Sequence, residues 1–473
     1  MQGGGMEIIM KKTTFALYFG NRGFFPGELI ASARDEMTKV LEKLGFGYII
    51  ADENATRYGA VETIEEGAFY KDFLKKHEGE FDGIIICLPN FGDENGAYAA
   101  LKDANVPILV QAYPDEIGKM DFAHRRDALC GKIAMCNVLR QAGIKYTLTT
   151  KTAVSPSDES FAEDVRQFGA VCRIVKNLKS FNIGAIGART TAFKTVRFDE
   201  IAMQRKRINI ETIDFSVVFA MMNELKKEDL TEKIKVLENT ASFGNYPDIK
   251  KENLARLLIS LEKLIKQYNL QALAIRCWDE LEKICQIAPC LAMSILNEQH
   301  IPAACELDVN NAVMMYALDC ASENAVMLLD VNNNYADEAN KTVLFHCSAI
   351  PESFFVKKGE VSEHLMFKKS YGDGTGVGIV KGKIIPTNVT IGSFKTEDGQ
   401  LCAFTTEGRL TDDKLDDAFF GCGTVFESAK NAELLTYMCK NGYRHHVAIA
   451  KGSWARAVKE AMENYLEYDI DLI

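Results

Sequence analysis

Four residues in the last third of the chain stand where apolar runs break. Glu306 ends the run "IPAAC" and Asp330 ends "NAVMLL"; His346 follows "TVLF", and His446 opens onto the apolar stretch 447–450. A carboxylate emerging from apolar sequence is costly unless something compensates its charge, and a divalent cation is the usual compensator. Mixed carboxylate and imidazole donors suit Mn²⁺, Fe²⁺, Co²⁺ or Zn²⁺, and Mg²⁺ where oxygens dominate. Taken singly, each acid has another use: Glu306 or Asp308 can cap a helix over 309–321, and Asp330 can open a turn. A lone histidine at such a junction is more often a hydrogen-bonded structural group, so it is the set of four that points to a metal. Histidine is otherwise scarce, seven in 473 residues, yet His445 and His446 are adjacent.

Other chemistry-bearing patterns are weaker. The glycine cluster "GDGTGVG" (372–378) lies in β-type sequence and opens no helix, so its amides have no scaffold on which to bind phosphate. Neither a Walker A motif nor GxSxG occurs. Thirteen scattered cysteines, an odd number with no CxxC, read as free thiols of a reducing cytosol rather than as a disulfide frame. The net charge of −11, with no Lys/Arg-rich block, argues against nucleic acid. No apolar run reaches the ~18 residues of a membrane span. The opening "MQGGGMEIIMKK" is too short in its apolar part for a secretory signal and carries Glu7, so it reads as a frayed extension before a strand near Thr13.

The elements that must position these residues follow from periodicity. Over 13–150, apolar strands ("TTFALYFG", "FGYIIAD", "FDGIIICLP", "VPILVQAY") alternate with amphipathic helices near 28–44, 63–76 and 94–103. That alternation implies a parallel sheet covered on both faces. Ligands of such sheets collect at the loops after the strands, here 20–28, 88–96 and 111–116, rich in Gly, Asn, acids and aromatics that suit a polyol; they are also good turn residues. A second α/β unit starts at "FNIGAIGAR" (181–189), with helices expected over 249–267 and 269–285 and short buried segments at 302–309, 324–332 and 342–351. Beyond 352, short β-prone runs broken by Gly, Pro, Asn and Asp predict an antiparallel sandwich or barrel, closed by a helix over 453–466.

The ordered set "LPNFGDENG", "RRDALCGKIAMCNVLRQAGI", "ACELDVNNAVMM", "LLDVN", "FHCSAIP", "PTNVTIGSFKTEDGQLCAFTTEGRL" and "HHVAIAKG" resembles the L-fucose isomerase/L-arabinose isomerase superfamily, in its fucose-isomerase-like branch. The resemblance covers nearly the whole chain in order. It implies two Rossmann-like α/β domains, 1–178 covering substrate and 179–351 carrying ligand carboxylates, then a β-barrel or sandwich domain, 352–473, carrying the ligand histidine. It implies a divalent metal, commonly Mn²⁺, with Co²⁺, Mg²⁺ or Zn²⁺ as alternatives, held by Glu306, Asp330 and His446. His445 then orients its neighbour or touches the sugar. His346 stands where arabinose isomerases carry a further histidine ligand, but the local sequence does not align cleanly; it belongs to the active site without being assigned as a ligand.

The resemblance further implies a homo-oligomer (trimer, tetramer or hexamer) whose N-terminal domain covers the neighbour's metal site, with loop residues such as Arg22, Asn90 and Glu94 touching the sugar. The expected reaction is aldose–ketose isomerisation of an open-chain pentose or hexose through a cis-enediol, with Glu306 and Asp330 as bases. L-Fucose or D-arabinose is the default substrate. A sulfonated hexose is the alternative, for which Arg22, Arg125, Arg126 and Arg189 offer positive charge. Two rival readings are a non-catalytic sugar-binding or sensor protein on the same scaffold, and another metal-dependent carbohydrate lyase or hydrolase.

Overall fold

The computed structural model describes residues 11–416, 419 and 421–473; the extension expected at the N-terminus lies almost wholly outside the described residues. The chain forms two compact units, one made of the described residues up to Lys176 with Glu460–Glu467, the other of Asn177–Lys459 with Tyr468–Ile473.

The first unit is built on five parallel strands in the order Gly47–Ile50, Thr14–Phe19, Gly83–Leu88, Ile108–Ala112, Thr147–Leu148. Gly83–Leu88 and Ile108–Ala112 are buried throughout, as near-continuous apolar strands are between two helical layers; the one polar residue, Gln111, donates to the Val154 carbonyl. The strand order reverses between Thr14–Phe19 and Gly83–Leu88, so the loops that follow them diverge there and open a crevice. Local signals start the helices: Thr63 and Glu66 form a capping box ahead of Ile64–Lys76, and Asp93 accepts from the Asn95 and Gly96 amides at the head of Glu94–Leu101. Gly131 lets helix Ala128–Gln141 lie against the loop after Gly83–Leu88. A Cβ there would stand 1.8 Å from the Phe91 carbonyl oxygen.

The second unit joins a four-stranded parallel sheet to a barrel. The parallel sheet runs Ala303–Ala304, Ala272–Ile275, Phe181–Ile186, Ile208–Ile213. The helix expected over 269–285 is not one helix. Asn269 ends Asp248–Tyr268 in a left-handed cap, and Ala272–Ile275 is then a buried strand inside the sheet, followed by a short π-helix, Leu281–Cys285. A short apolar run carries no period that tells a buried strand from a buried helix; the slot between two strands decides it.

Six antiparallel strands close on themselves in the order Thr387–Glu397, His446–Lys451, Val326–Asn334, Lys341–His346, Cys422–Glu427, Gln400–Leu410 and back to Thr387–Glu397. The β-rich region is thus a closed barrel, with Asp469–Leu472 added in parallel beside Gln400–Leu410. It draws strands from both sides of residue 351, so the stretches expected as 179–351 and 352–473 share one compact unit. The glycine cluster leads into strand Val377–Lys381 of a small side sheet and opens no helix. No helix among the described residues is long and apolar enough to cross a membrane.

Candidate active site

Barrel register brings the first pair together. Val326–Asn334 and His446–Lys451 are antiparallel neighbours, with Asp330 directly opposite His446. Glu306 arrives from the parallel sheet, on the turn that follows Ala303–Ala304 at its carboxyl edge. There Glu306 and Leu307 both take left-handed backbone angles, φ 58° and 62°. Two such non-glycine residues in a row are costly and persist only where the surroundings hold them. The anchor is Asp308, which accepts from the Asn311 amide (3.1 Å) as N-cap of helix Val309–Ser322. His446 Nε2 ends 3.4 Å from Glu306 Oε2 and 3.3 Å from Asp330 Oδ1.

Behind His446 lies a dry polar cluster. Its Nδ1 donates to Asp308 Oδ2 (2.8 Å), and both side chains are fully buried. Arg444 pairs with the other Asp308 oxygen, and Asn311 Nδ2 donates to Oδ2 (2.7 Å). Asn311 also accepts from Ser393 Oγ and the Phe394 amide, tying the cluster to the barrel wall.

The electrostatics follow this packing. Burial alone would raise the Asp308 carboxyl; Arg444 and His446 outweigh it and hold the group well below the ordinary carboxylate range. Burial would lower His446, yet Asp308 and Glu306 push it up to about 10 in the metal-free chain. Glu306 is likewise opposed by burial and is held below its ordinary value by the His446, His346 and His445 imidazoles. His445, half-exposed, is lowered by burial and by His446. Anions and imidazoles thus stabilise one another where no solvent does so.

Two groups of donors, each spanning no more than 4.8 Å, share His446: Glu306, His346 and His446 in one, Asp330, His445 and His446 in the other. Glu306 and Asp330 thus fall in different groups, and the set named from sequence is linked only through His446 Nε2, which lies 3.4 Å from one carboxylate and 3.3 Å from the other. The fit to a divalent cation rests on orphaned atoms. Asp330 Oδ1 and His446 Nε2 are buried and approach to 3.3 Å, yet neither makes a well-formed hydrogen bond among the described residues, and a cation between them would satisfy both more fully than this contact does. A carboxylate–carboxylate–imidazole set matches Mn²⁺-type ions. His346 is also buried at this place, its ring centroid 6.0 Å from that of His446.

The remaining sequence candidates divide between the units. Arg189 follows Phe181–Ile186, at the same carboxyl edge as Glu306. Its guanidinium donates to the Thr190 and Thr191 carbonyls and forms no ion pair among the described residues. Arg22, Asn90 and Glu94 come together in the other unit, at the crevice of the five-stranded sheet. Arg22 lies 3.7 Å from Glu94 and 4.0 Å from Asp93, with its guanidinium over the Phe91 ring. Asn90 is fully buried: its amide donates to Asn21 Oδ1 and the Pro26 carbonyl, and its oxygen accepts from the Gly92 amide. It fixes the two loops to each other and has no free donor for a sugar. Arg126 donates to the Pro89 carbonyl, and Arg125 pairs with Asp127.

Sequence reasoning found Asp308 as a cap but not as the partner of His446, and it missed Arg444. Nothing local marks either role, because residues 308 and 446 meet only through the barrel.

Two family models match the chain: "Fucose/sulfoquinovose isomerase, N-terminal domain" over residues 16–179 and "L-fucose isomerase, C-terminal domain" over 344–473. Among curated relatives, a sulfoquinovose isomerase of Alkalicoccus urumqiensis is 25% identical over 280 residues, 59% of this chain and 62% of that protein. A sulfoquinovose isomerase of Priestia aryabhattai is 23% identical over 397 residues, 83% of this chain and 85% of its own. The chain thus spans less than two thirds of the first relative and most of the second. A solved periplasmic solute-binding protein of Actinobacillus succinogenes 130z with bound D-allose aligns at 12% identity and a TM-score of 0.17, covering 66% of this chain and 92% of that one; a likeness so low carries no argument.

Proposed function

Because the chain belongs to the L-fucose isomerase/L-arabinose isomerase superfamily, in its fucose-isomerase-like branch, we propose that this aldose–ketose isomerase works on an open-chain sugar with a divalent metal held by Glu306, Asp330 and His446. The observation that carries the reading is His446 Nε2, buried, without a well-formed hydrogen bond among the described residues, and within 3.4 Å of both carboxylates. Bound there, Mn²⁺ or a similar ion supplies Lewis acidity toward the sugar oxygens. Glu306 and Asp330 then do the proton work. One takes the C2 proton and returns it to C1 across a cis-enediol; the other moves the hydroxyl proton between O2 and O1. Asp308 keeps His446 turned toward them. Water must be kept from the enediol, and the depth of Glu306, 8% exposed, suits that need.

The substrate is a hexose or pentose, and a sulfonated hexose is the favoured case. The curated relatives are named for sulfoquinovose, and the unpaired charge of Arg189 at the Glu306 sheet edge would meet a sulfonate. The assembly is a homo-oligomer in which the crevice bearing Arg22 and Glu94 serves a neighbour's metal site. In support, the unit that carries this crevice exposes Ile117 (100%), Phe122 (78%) and Met120 (65%) on one loop, apolar surface that a second copy would cover. Thirteen free thiols fit a reducing cytoplasm.

The test is a panel of aldoses, L-fucose, D-arabinose and a 6-sulfonated hexose among them, read as ketose formation by NMR. Chelation should abolish turnover, and Mn²⁺ or Co²⁺ should restore it. Full turnover in protein shown to be metal-free by elemental analysis would overturn the reading.

A further inference from the structure

His346 and His446 face each other, yet the protein fixes their protons in opposite ways. His446 Nδ1 meets a carboxylate, Asp308 Oδ2 at 2.8 Å. An ionised carboxylate only accepts, so Nδ1 keeps its proton, and Nε2 is the nitrogen whose lone pair a cation can take in exchange for a proton. His346 Nδ1 meets the Cys347 backbone amide at 2.9 Å. A backbone amide only donates, so His346 Nδ1 is the acceptor and the proton of the neutral ring sits on Nε2. A lone pair can bind a metal and an N–H cannot.

The His346 Nε2–H is also without a partner. The residue is 1% exposed, and Nε2 is buried with no hydrogen bond among the described residues. A ring nitrogen of His346 lies within 4.8 Å of a Glu306 oxygen and a His446 nitrogen. The backbone that sets its tautomer is itself held, since Cys347 Sγ lies 3.1 Å from His364 Nε2, another buried imidazole. A donor left unsatisfied in a dry pocket beside the acids is explained by an acceptor that arrives with the substrate.

We propose that His346 is a hydrogen-bond donor to the sugar oxygen at the reacting end, O1 or O2, and is not a ligand of the metal. The inference rests on the isomerase reading above. During enediol formation negative charge grows on the former carbonyl oxygen, and a fixed N–H aimed at that oxygen stabilises the transition state more than the ground state. The two histidines therefore divide the work, one presenting an electron pair and the other a proton.

The experiment compares His346→Met, which keeps size and loses the donor, with His346→Gln, whose amide can donate, and with His446→Gln. Mn²⁺ affinity and stoichiometry are measured by calorimetry. Affinity for a linear hexitol, which offers hydroxyls but cannot react, is measured with and without Mn²⁺, and kcat and KM are taken on the aldose the enzyme turns over best. Both His346 variants should bind one Mn²⁺ per chain within about threefold of wild-type affinity. His346→Met should weaken hexitol binding about tenfold and lower kcat about 100-fold, and His346→Gln should recover part of both.

His346→Met losing Mn²⁺ as His446→Gln does would make His346 a ligand and overturn the proposal. So would unchanged hexitol affinity and kcat. A wild-type chain that binds no Mn²⁺ would strike the metal reading instead, while the metal-free hexitol comparison would still test His346. If thermal melting shows His346→Met unfolded, His346→Leu replaces it in the same comparison.

Discussion

At the scale of single residues, the chemistry depends on which atom of each side chain is left free. Asp308 takes up His446 Nδ1 and so leaves Nε2 facing Glu306 and Asp330, where the proposed metal would bind, while Arg444 supplies the positive charge that lets a carboxylate remain ionised in a fully buried place. Asp308→Asn would set an amide N–H against His446 Nδ1 and drive the proton to Nε2. Calorimetry should then show Mn²⁺ affinity lowered by about 10–100-fold. The variant should also lose stability by ~3–5 kcal/mol, because Arg444 is stranded without its anion. Arg444→Met leaves Asp308 and His446 facing each other and should spare most of the Mn²⁺ affinity; an equal loss in both variants would mean the effect is general loosening of the cluster. For the adjacent pair, His446→Ala should lose metal and turnover together. His445→Ala should keep most of the metal and lose part of the rate, since His445 comes no nearer than 3.8 Å to Asp330, against 3.3 Å for His446. Metal loss from His445→Ala alone would assign the ligand to the wrong neighbour.

At the scale of elements, the π-helix Leu281–Cys285 holds an acid with no evident compensation. Glu282 is completely buried, and its carboxyl oxygens reach nothing beyond a weak approach to its own backbone amide. Burial, with Asp279 and Glu280 adding to it, raises the group from 4.5 to about 9. The folded chain therefore keeps a proton that the unfolded chain releases above pH 4.5. Stability is fully present below that value, falls as pH rises toward 9, and is flat beyond. By pH 7 the cost is roughly 3 kcal/mol. Glu282→Gln mimics the protonated acid and does not titrate. Its stability should match wild type near pH 4.5 and exceed it increasingly up to pH 9, as read by denaturant unfolding across that range. A difference independent of pH would show that Glu282 is not buried as an acid.

At the scale of the whole molecule, the sequence candidates fall in two units: Glu306, Asp330, His346, His445, His446 and Arg189 in one, Arg22, Asn90 and Glu94 in the other. If neighbouring copies complete each other's sites, Glu306→Gln subunits mixed with Arg22→Ala subunits should regain activity, because some interfaces then join an intact loop to an intact metal site. Glu306→Gln keeps side-chain shape while removing the base, so assembly should survive. Labelled chains establish that subunits exchange. With random exchange, recovery of roughly a quarter of the wild-type rate is expected from the statistics of pairing. Exchange with no recovery would mean that each site is built within one chain or that this loop does not reach the sugar.

How much of this was legible beforehand depends on the range of the interaction involved. The alternation of apolar strands and amphipathic helices over 13–150, the cap at Asp308, and the β-rich C-terminal region could be read directly, because each rests on neighbours within a few positions. The family could be read from an ordered set of short motifs. The candidate residues Glu306, Asp330, His346 and His446 stood out because polar groups at the ends of apolar runs are conspicuous in one dimension. Only the tertiary structure decided that Ala272–Ile275 is a strand, that the β-region closes into a barrel, that Asn90 serves the loops, and that Asp330 lies opposite His446. It alone set the two Nδ1 atoms against opposite partners, a carboxylate 138 positions away for His446 and the next backbone amide for His346. Periodicity and capping are local and survive in the sequence. Which lone pair or proton faces the site is set by contacts between distant segments, and those exist only once the barrel has closed.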